Sequence, residues 1–160
     1  MTDRNTSDVD RFSILLIEDD PDHAGLIADL LRGDSPLITV THCPNGPDGL
    51  NYLDLCHARG ALPDLILLDL NMPGLNGVEV MRIVKSDKRF LHVPAVLLTT
   101  SSAPGDVEAA MAAHANSYVC KDIDLDDFET TLAAIRLHDA HNLDAIQAGH
   151  VEVQQYEVRQ

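Results

Sequence analysis

The sequence predicts an α/β fold: a doubly wound parallel sheet of five strands with five helices on its two faces. Five short apolar runs alternate with five segments of helical period along the chain. The first, third and fourth runs are continuously apolar rather than alternating, which is typical of parallel strands that helices cover on both faces. Because ligands bind beyond the carboxyl ends of such strands, we expect a functional site at that edge of the sheet.

The strands are predicted from their length and apolar composition. Each run has four to six residues. These runs stop well short of the roughly 18 apolar residues that indicate a membrane span. The fifth run is the shortest of the set. The predicted strands cover residues 13–17, 37–41, 65–70, 95–99 and 117–120.

The helices are predicted from capping residues and apolar periodicity. Asp20 is a good N-cap and Pro21 suits the first helical position, so the first helix should begin there. In the third helix, Val80, Ile83 and Val84 share the inward face. The last helix has an apolar stripe with spacings of three and four residues. The predicted helices cover residues 21–31, 47–59, 77–86, 104–114 and 125–137.

Length and charge limit the classes of function. A chain of 160 residues accommodates one ordinary domain, predicted at residues 12–137, with a flexible N-terminus at 1–11 and a C-terminal extension at 138–160. The net charge of −15 repels nucleic acid phosphates and anionic lipid. We therefore expect neither a nucleic acid nor a membrane partner.

The cysteines predict a reducing compartment. Cys43, Cys56 and Cys120 are odd in number, widely separated and without C-x-x-C spacing, which suits reduced thiols that pack as small apolar side chains. The polar N-terminus has no apolar stretch of the kind found in signal peptides. We expect a cytoplasmic protein.

Polar side chains follow four of the predicted strands. Because these strand ends converge on one edge of a parallel sheet, the carboxylates among them should repel one another. Mg²⁺ would relieve that repulsion, since it prefers carboxylate, carbonyl and phosphate oxygens. A lysine and a hydroxyl can bind a transferred phosphoryl group, and an aspartate is a plausible nucleophile. The residues concerned are Glu18, Asp19, Asp20, Asp69, Asn71, Thr99 and Lys121.

The chain contains four sequence motifs in the same order as the receiver domain of response regulators, and it therefore resembles that family. Thirty residues separate Asp69 from Thr99 and 52 separate Asp69 from Lys121, as in that family. The resemblance covers about residues 12–137 and implies a flavodoxin-like receiver fold. The motifs are I-E-D-D at 17–20, L-L-D-L-N-M-P-G at 67–74 with G-V-E-V at 77–80, L-L-T-T-S at 97–101 and Y-V-C-K at 118–121.

The resemblance implies a role for each matching residue. It makes Asp69 the phosphoacceptor, places Thr99 and Lys121 against the phosphoryl group, and makes Thr99 and Tyr118 the switch pair. It also implies Mg²⁺, for which Mn²⁺ or Ca²⁺ can substitute, with Asp19 a direct ligand and Glu18 acting largely through water. Self-phosphorylation and slow autodephosphorylation are the only reactions implied, so an enzyme is not expected. The implied metal ligands are Glu18, Asp19, Asp69 and the backbone carbonyl of Asn71.

One departure from the family keeps alternatives open. Receivers usually follow the lysine with a cis-proline, but Lys121 is followed by Asp122, for which a trans bond is expected. Asp122 can also compete with phosphate for the ammonium group, which favours a degenerate receiver that acts as a phosphorylation-independent interaction module. A phosphohydrolase with a D-x-D nucleophile motif is disfavoured, because Asn71 replaces the second aspartate.

A narrower resemblance concerns partners. L-L-T-T-S-S at 97–102 and D-L-D-D-F at 124–128 are most similar to single-domain response regulators that partner bacterial phytochrome histidine kinases. This implies signalling by protein–protein interaction, a histidine kinase partner, and a homodimer formed through the last helix and the C-terminal tail. In that tail, Val151, Val153, Tyr156 and Val158 alternate with polar residues, and both disorder and packing on a partner subunit remain open.

Overall fold

The computed structural model describes residues 11–100, 104–115 and 117–120, without the side chains of residues 104, 107 and 117–120. Strands and helices alternate as predicted, and the strands form a parallel sheet of order β2-β1-β3-β4-β5. The doubly wound α/β fold is confirmed. The elements are β1 (Phe12–Ile17), α1 (Pro21–Arg32), β2 (Ile38–Cys43), α2 (Gly46–Ala58), β3 (Leu65–Asp69), α3 (Gly77–Ser86), β4 (Ala95–Thr99), α4 (Pro104–Ala112) and β5 (Ser117–Cys120).

Three predicted segments lie outside the described residues. They are the N-terminal residues 1–10, the fifth helix at 125–137 and the C-terminal extension at 138–160. Their predicted structure therefore stays a prediction, as do the limits of the domain.

Two predicted element ends are wrong by two residues. β2 continues to Cys43 because its backbone pairs with β1 as far as Ile17. The polar residues near the end of β2 hide this continuation in the sequence. α4 ends at Ala112, before His114, whose φ of 62° lies in the left-handed region that terminates helices.

The central strands build a core on each face of the sheet. Ile14 and Leu16 of β1 pack on the face covered by α1, whereas Leu15 and Ile17 pack on the face covered by α2 and α3. Every residue of β3 and β4 is buried. The continuous apolar runs of the sequence therefore correspond to strands covered on both faces, as predicted.

Two cysteines are placed by the structure, and both are buried free thiols. They are Cys43 at the end of β2 and Cys56 on α2. Burial is the largest cause that raises the pKa of the Cys43 thiol, followed by the nearby Asp48. Both act as small apolar side chains, and the side chain of Cys120 lies outside the described residues. Of the helices that the structure describes, none has the length and apolar content to cross a bilayer.

Two glycines give a matched test of the packing of α2 on β1. We expect Gly49→Ala to destabilise the fold by about 1–3 kcal/mol, because its Cβ would overlap the buried side chain of Ile17. That Cβ would lie 2.8 Å from Cγ1 of Ile17. Gly25→Ala on α1 is the control: its Cβ meets no heavy atom within 4 Å. Alanine should stabilise that exposed helical position by about 0.5–1 kcal/mol.

Urea unfolding followed by far-UV circular dichroism measures both changes. Midpoints that move in opposite directions support the packing of α2 described above, and equal midpoints would contradict it.

Candidate functional site

Three acidic residues meet at the carboxyl end of the sheet. Because Ile17 of β1 pairs with Leu68 of β3, the residues that follow them, Glu18 and Asp69, lie at the same level on neighbouring strands. Asp19 comes next along the chain. One carboxylate oxygen from each of these three residues lies within 4.8 Å of the other two. The structure thus brings together the three acidic side chains that the sequence predicted as metal ligands.

The three carboxylates differ in burial. Glu18 is 1% exposed and Asp69 is 5% exposed, whereas Asp19 is exposed to solvent. Like charges at this spacing repel one another, and burial adds to the cost of the charges on Glu18 and Asp69. A cation among these oxygens would lower that cost directly.

Glu18 is held by the edge strand β2 through its main chain. Its N–H donates to the carbonyl of Cys43 (3.1 Å), which extends the β1–β2 ladder by one residue. Its own carbonyl accepts a hydrogen bond from Nε2 of His42 at 2.7 Å. The Glu18 side chain also accepts from the backbone N–H of Asp20 at 3.3 Å. The first acidic residue is therefore fixed at both ends of its backbone unit.

Asp20 serves the helix that follows. Its Oδ1 accepts hydrogen bonds from the backbone N–H groups of Asp22 (2.9 Å) and His23 (3.2 Å), as an N-cap does. Asp20 lies outside the group of three carboxylates. The predicted capping role is confirmed, and it fixes the C-terminal end of the short acidic segment.

Asp69 ends β3 and is held by close backbone packing. The N–H of Leu70 donates to the carbonyl of Leu98 (2.7 Å), and Gly77 donates to the carbonyl of Leu70 (3.0 Å). Gly77 is buried at the start of α3, where a Cβ would overlap the carbonyl oxygen of Asp69 and lie 2.8 Å from Cα of Leu70. Only glycine lets the helix approach Asp69 this closely.

The predicted site includes four further residues, which are Thr99, Tyr118, Asn71 and Lys121. Thr99 ends β4 one residue beyond the partner of Asp69 and is 2% exposed. The backbone of Tyr118, on β5, pairs with Leu97 of β4. The side chain of Tyr118 is not among those described. Asn71 is exposed in the loop after β3. Lys121 and Asp122 are outside the described residues, so their roles stay predictions.

The acidic group fits a small divalent cation. Two ligands on opposite sides of Mg²⁺ are about 4.2 Å apart, since each Mg–O distance is about 2.1 Å. Neighbouring ligands of an octahedral Mg²⁺ are about 3.0 Å apart. The three oxygens, which lie within 4.8 Å of one another, must therefore draw closer together to share one ion. All three donors are carboxylates, which hard cations such as Mg²⁺, Mn²⁺ and Ca²⁺ prefer.

Sequence reasoning missed two residues that hold this site. His42 was not singled out, and Gly77 was noted only as the first residue of the G-V-E-V motif and of the third predicted helix. The one signal for His42 is its position near the end of a strand that neighbours β1. For Gly77, the signal is a small residue at a helix start close after the acidic strand end.

A substitution at Gly77 therefore tests how Asp69 is positioned. We expect Gly77→Ala to weaken Mg²⁺ binding by about tenfold, the lower end of what displaced supporting residues cost a metal site. The reason is that the added Cβ overlaps the backbone of Asp69. Titration calorimetry measures the affinity, and circular dichroism checks the fold. Gly25→Ala is the control, and unchanged affinity in a folded Gly77→Ala protein would contradict the positioning role.

Comparison with known proteins agrees with this arrangement. A probable methanogenesis regulatory protein, FilR2 of Methanothrix harundinacea (strain 6Ac), is 35% identical over 128 residues, which cover 79% of this chain and 83% of that protein. The phosphorylated cyanobacterial phytochrome response regulator RcpA has a TM-score of 0.71 and 31% identity, over 78% of this chain and 91% of that one. The Mn²⁺-bound form of response regulator Rcp1 has a TM-score of 0.68 and 30% identity over the same shares of the two chains.

The match to a family model spans most of the chain. Residues 14–133 fit the response regulator receiver domain, a segment that contains β1 to β5 from Ile14 onward and all three clustered carboxylates. The strand order, the acidic group at the carboxyl edge and the related structures all agree with that match. The chain belongs to the response regulator receiver domain family.

Proposed function

We propose that Asp69 accepts a phosphoryl group from a histidine kinase, as part of two-component signalling. The observation that carries the proposal is the group of three carboxylates whose oxygens lie within 4.8 Å of one another. Mg²⁺ is the proposed ion, since the donors are hard oxygens and the related Rcp1 structure is of a Mn²⁺-bound form. The proposed ligands are Glu18, Asp19, Asp69 and the backbone carbonyl of Asn71.

The proposed chemistry is a single transfer to the acidic site. An oxygen of the Asp69 carboxylate attacks phosphorus, the bond from phosphorus to the kinase histidine nitrogen breaks, and the electron pair leaves with that nitrogen. When bound, Mg²⁺ supplies positive charge for the phosphoryl oxygens. The Thr99 hydroxyl donates a hydrogen bond to them and the Lys121 ammonium pairs with them. Slow hydrolysis of the acyl phosphate is the only other proposed reaction, so the protein is not an enzyme for a separate substrate.

The proposed signal is a change of surface that other proteins recognise. A phosphoryl group adds about −1.5 to −2 charges at neutral pH. Thr99 then moves toward the phosphoryl group and Tyr118 turns inward, which shifts an existing equilibrium between two arrangements. The net charge of −15 supports protein partners rather than nucleic acid.

We also propose which kind of histidine kinase is the partner. Membership in the receiver family implies a histidine kinase partner, and similarity to the phytochrome response regulator RcpA supports a bacteriophytochrome as that kinase. Leu26 on α1 is 46% exposed and offers an apolar contact for the kinase. The free thiols of Cys43 and Cys56 support a cytoplasmic location.

Acetyl phosphate tests the chemistry without a kinase. We expect the parent protein to gain one phosphoryl group and Asp69→Asn to gain none, because the amide cannot form an acyl phosphate. Without Mg²⁺ the labelling rate should fall by about a hundredfold or more, since a metal ion contributes several kcal/mol of charge stabilisation. Intact-mass spectrometry measures the label. Asp34→Asn, at an exposed aspartate in the loop after α1, is the matched control and should label like the parent.

The alternatives give different results in the same experiment. A folded parent that takes no label in the presence of Mg²⁺ would indicate the phosphorylation-independent interaction module that Asp122 favours. Steady turnover of a general phosphate ester would indicate a phosphohydrolase. Label on both the parent and Asp69→Asn would overturn the choice of acceptor.

We further propose that the protein forms a homodimer through the last helix and the C-terminal tail. Support comes from two pairs of apolar residues that alternate with polar ones, Val151 with Val153 and Tyr156 with Val158, a pattern typical of half-buried strands. We expect deletion of residues 151–160 to weaken self-association by at least tenfold, or about 1.4 kcal/mol. Sedimentation equilibrium measures this, with deletion of residues 1–10 as the control. Unchanged sedimentation after the C-terminal deletion would contradict the proposed interface.

A further inference from the structure

The acidic segment between β1 and α1 is held at three points. At its start, the N–H of Glu18 donates to Cys43 and its carbonyl accepts from His42. At its end, Asp20 caps α1 and its N–H donates to the Glu18 side chain. Asp19 lies between these points with an exposed side chain. Its position therefore depends on the peptide units on either side of it.

The hydrogen bond from His42 lies directly beyond the last backbone hydrogen bond between β1 and β2. His42 pairs with Leu16 and Cys43 with Ile17, and the hydrogen bond from Glu18 to Cys43 is the next along the β1–β2 ladder. Beyond it, the chain of β2 turns away toward Asn45, the N-cap of α2. The His42 ring reaches forward along the strand to the carbonyl of Glu18, at 2.7 Å. At the edge of the site, the hydrogen bond that follows the backbone ladder is therefore donated by a side chain, that of His42.

This hydrogen bond fixes a peptide plane. A carbonyl oxygen only accepts, so Nε2 of His42 carries the hydrogen and donates it. The carbonyl of Glu18 and the N–H of Asp19 belong to the same rigid peptide unit. Holding that carbonyl therefore sets the direction in which the chain enters Asp19. Packing fixes the buried side chain of Glu18, but no comparable burial fixes Asp19.

We propose that His42 is a positioning residue for the cation site. Its hydrogen bond to the Glu18 carbonyl holds the peptide unit between Glu18 and Asp19, so that the Asp19 carboxylate stays within reach of Glu18 and Asp69. The functional consequence rests on the proposed function, because it concerns the affinity of that site for Mg²⁺. His42 itself touches neither the cation nor the phosphoryl group.

Substitutions at His42 separate positioning from general stability. We expect His42→Ala to weaken Mg²⁺ binding by about tenfold, as the loss of a supporting hydrogen bond does at metal sites. His42→Gln should restore the affinity to within about threefold of the parent, because the glutamine side-chain amide can place an N–H near the position of Nε2. His92→Ala, at an exposed histidine in the loop before β4, is the matched control and should bind Mg²⁺ like the parent.

Two measurements at one fixed pH are needed. Titration calorimetry gives the Mg²⁺ affinity, and the rate of labelling by acetyl phosphate is followed over a series of Mg²⁺ concentrations. In His42→Ala the Mg²⁺ concentration for half-maximal labelling should rise about tenfold. The rate at saturating Mg²⁺ should stay within about threefold of the parent, since Asp69 is held by other contacts. A purely structural role of His42 would not raise the required Mg²⁺ concentration while leaving the rate at saturating Mg²⁺ unchanged.

The outcomes distinguish the two proposals. Parent-like Mg²⁺ affinity in His42→Ala would overturn the positioning role while the proposed function stands. Equal loss of affinity in His42→Ala and His42→Gln, together with equal loss of stability in urea, would also overturn it. If the parent protein itself neither binds Mg²⁺ nor takes a label, the proposed function fails and this inference fails with it.

Discussion

The repulsion among three carboxylates at one sheet edge is the constraint on which the rest of the site depends. Parallel pairing of β1 with β3 puts Glu18 and Asp69 at the same level, and two of the three acidic groups are buried. Like charges in a poorly solvated place raise the free energy of the fold. The contacts around them hold these groups against that repulsion, and a bound cation would relieve it.

The core supplies the rigidity that this arrangement requires. β1 and β3 pair as far as Ile17 and Leu68, the last apolar residues before the acidic ones, and both are fully buried. A shift of register by one residue would move each strand's apolar side chains to the opposite face and disrupt both cores. Glu18 and Asp69 therefore stay together because separating them would unpack the centre of the protein.

The sequence was informative wherever a physical pattern repeats. Continuous apolar runs predicted β3 and β4, the pair Asp20-Pro21 predicted the start of α1, and convergence of strand ends predicted the acidic group. Single contacts leave no such pattern. The hydrogen bond from His42 to a carbonyl and the backbone approach that requires Gly77 depend on how particular strands and helices meet. Neither periodicity nor motif spacing records them, so both had to come from the structure.

The two sides of the site are held in different ways, and this bears on which side adjusts to a cation. Asp69 is buried and ends a central strand, and its backbone lies so close to Gly77 that no Cβ fits between them. Asp19 is exposed and follows a peptide unit held by one side-chain hydrogen bond. The oxygens, up to 4.8 Å apart, must draw closer to bind an ion as small as Mg²⁺. On the proposed function that movement belongs to Asp19, so the acceptor keeps its position while the edge of the site adapts to the ion.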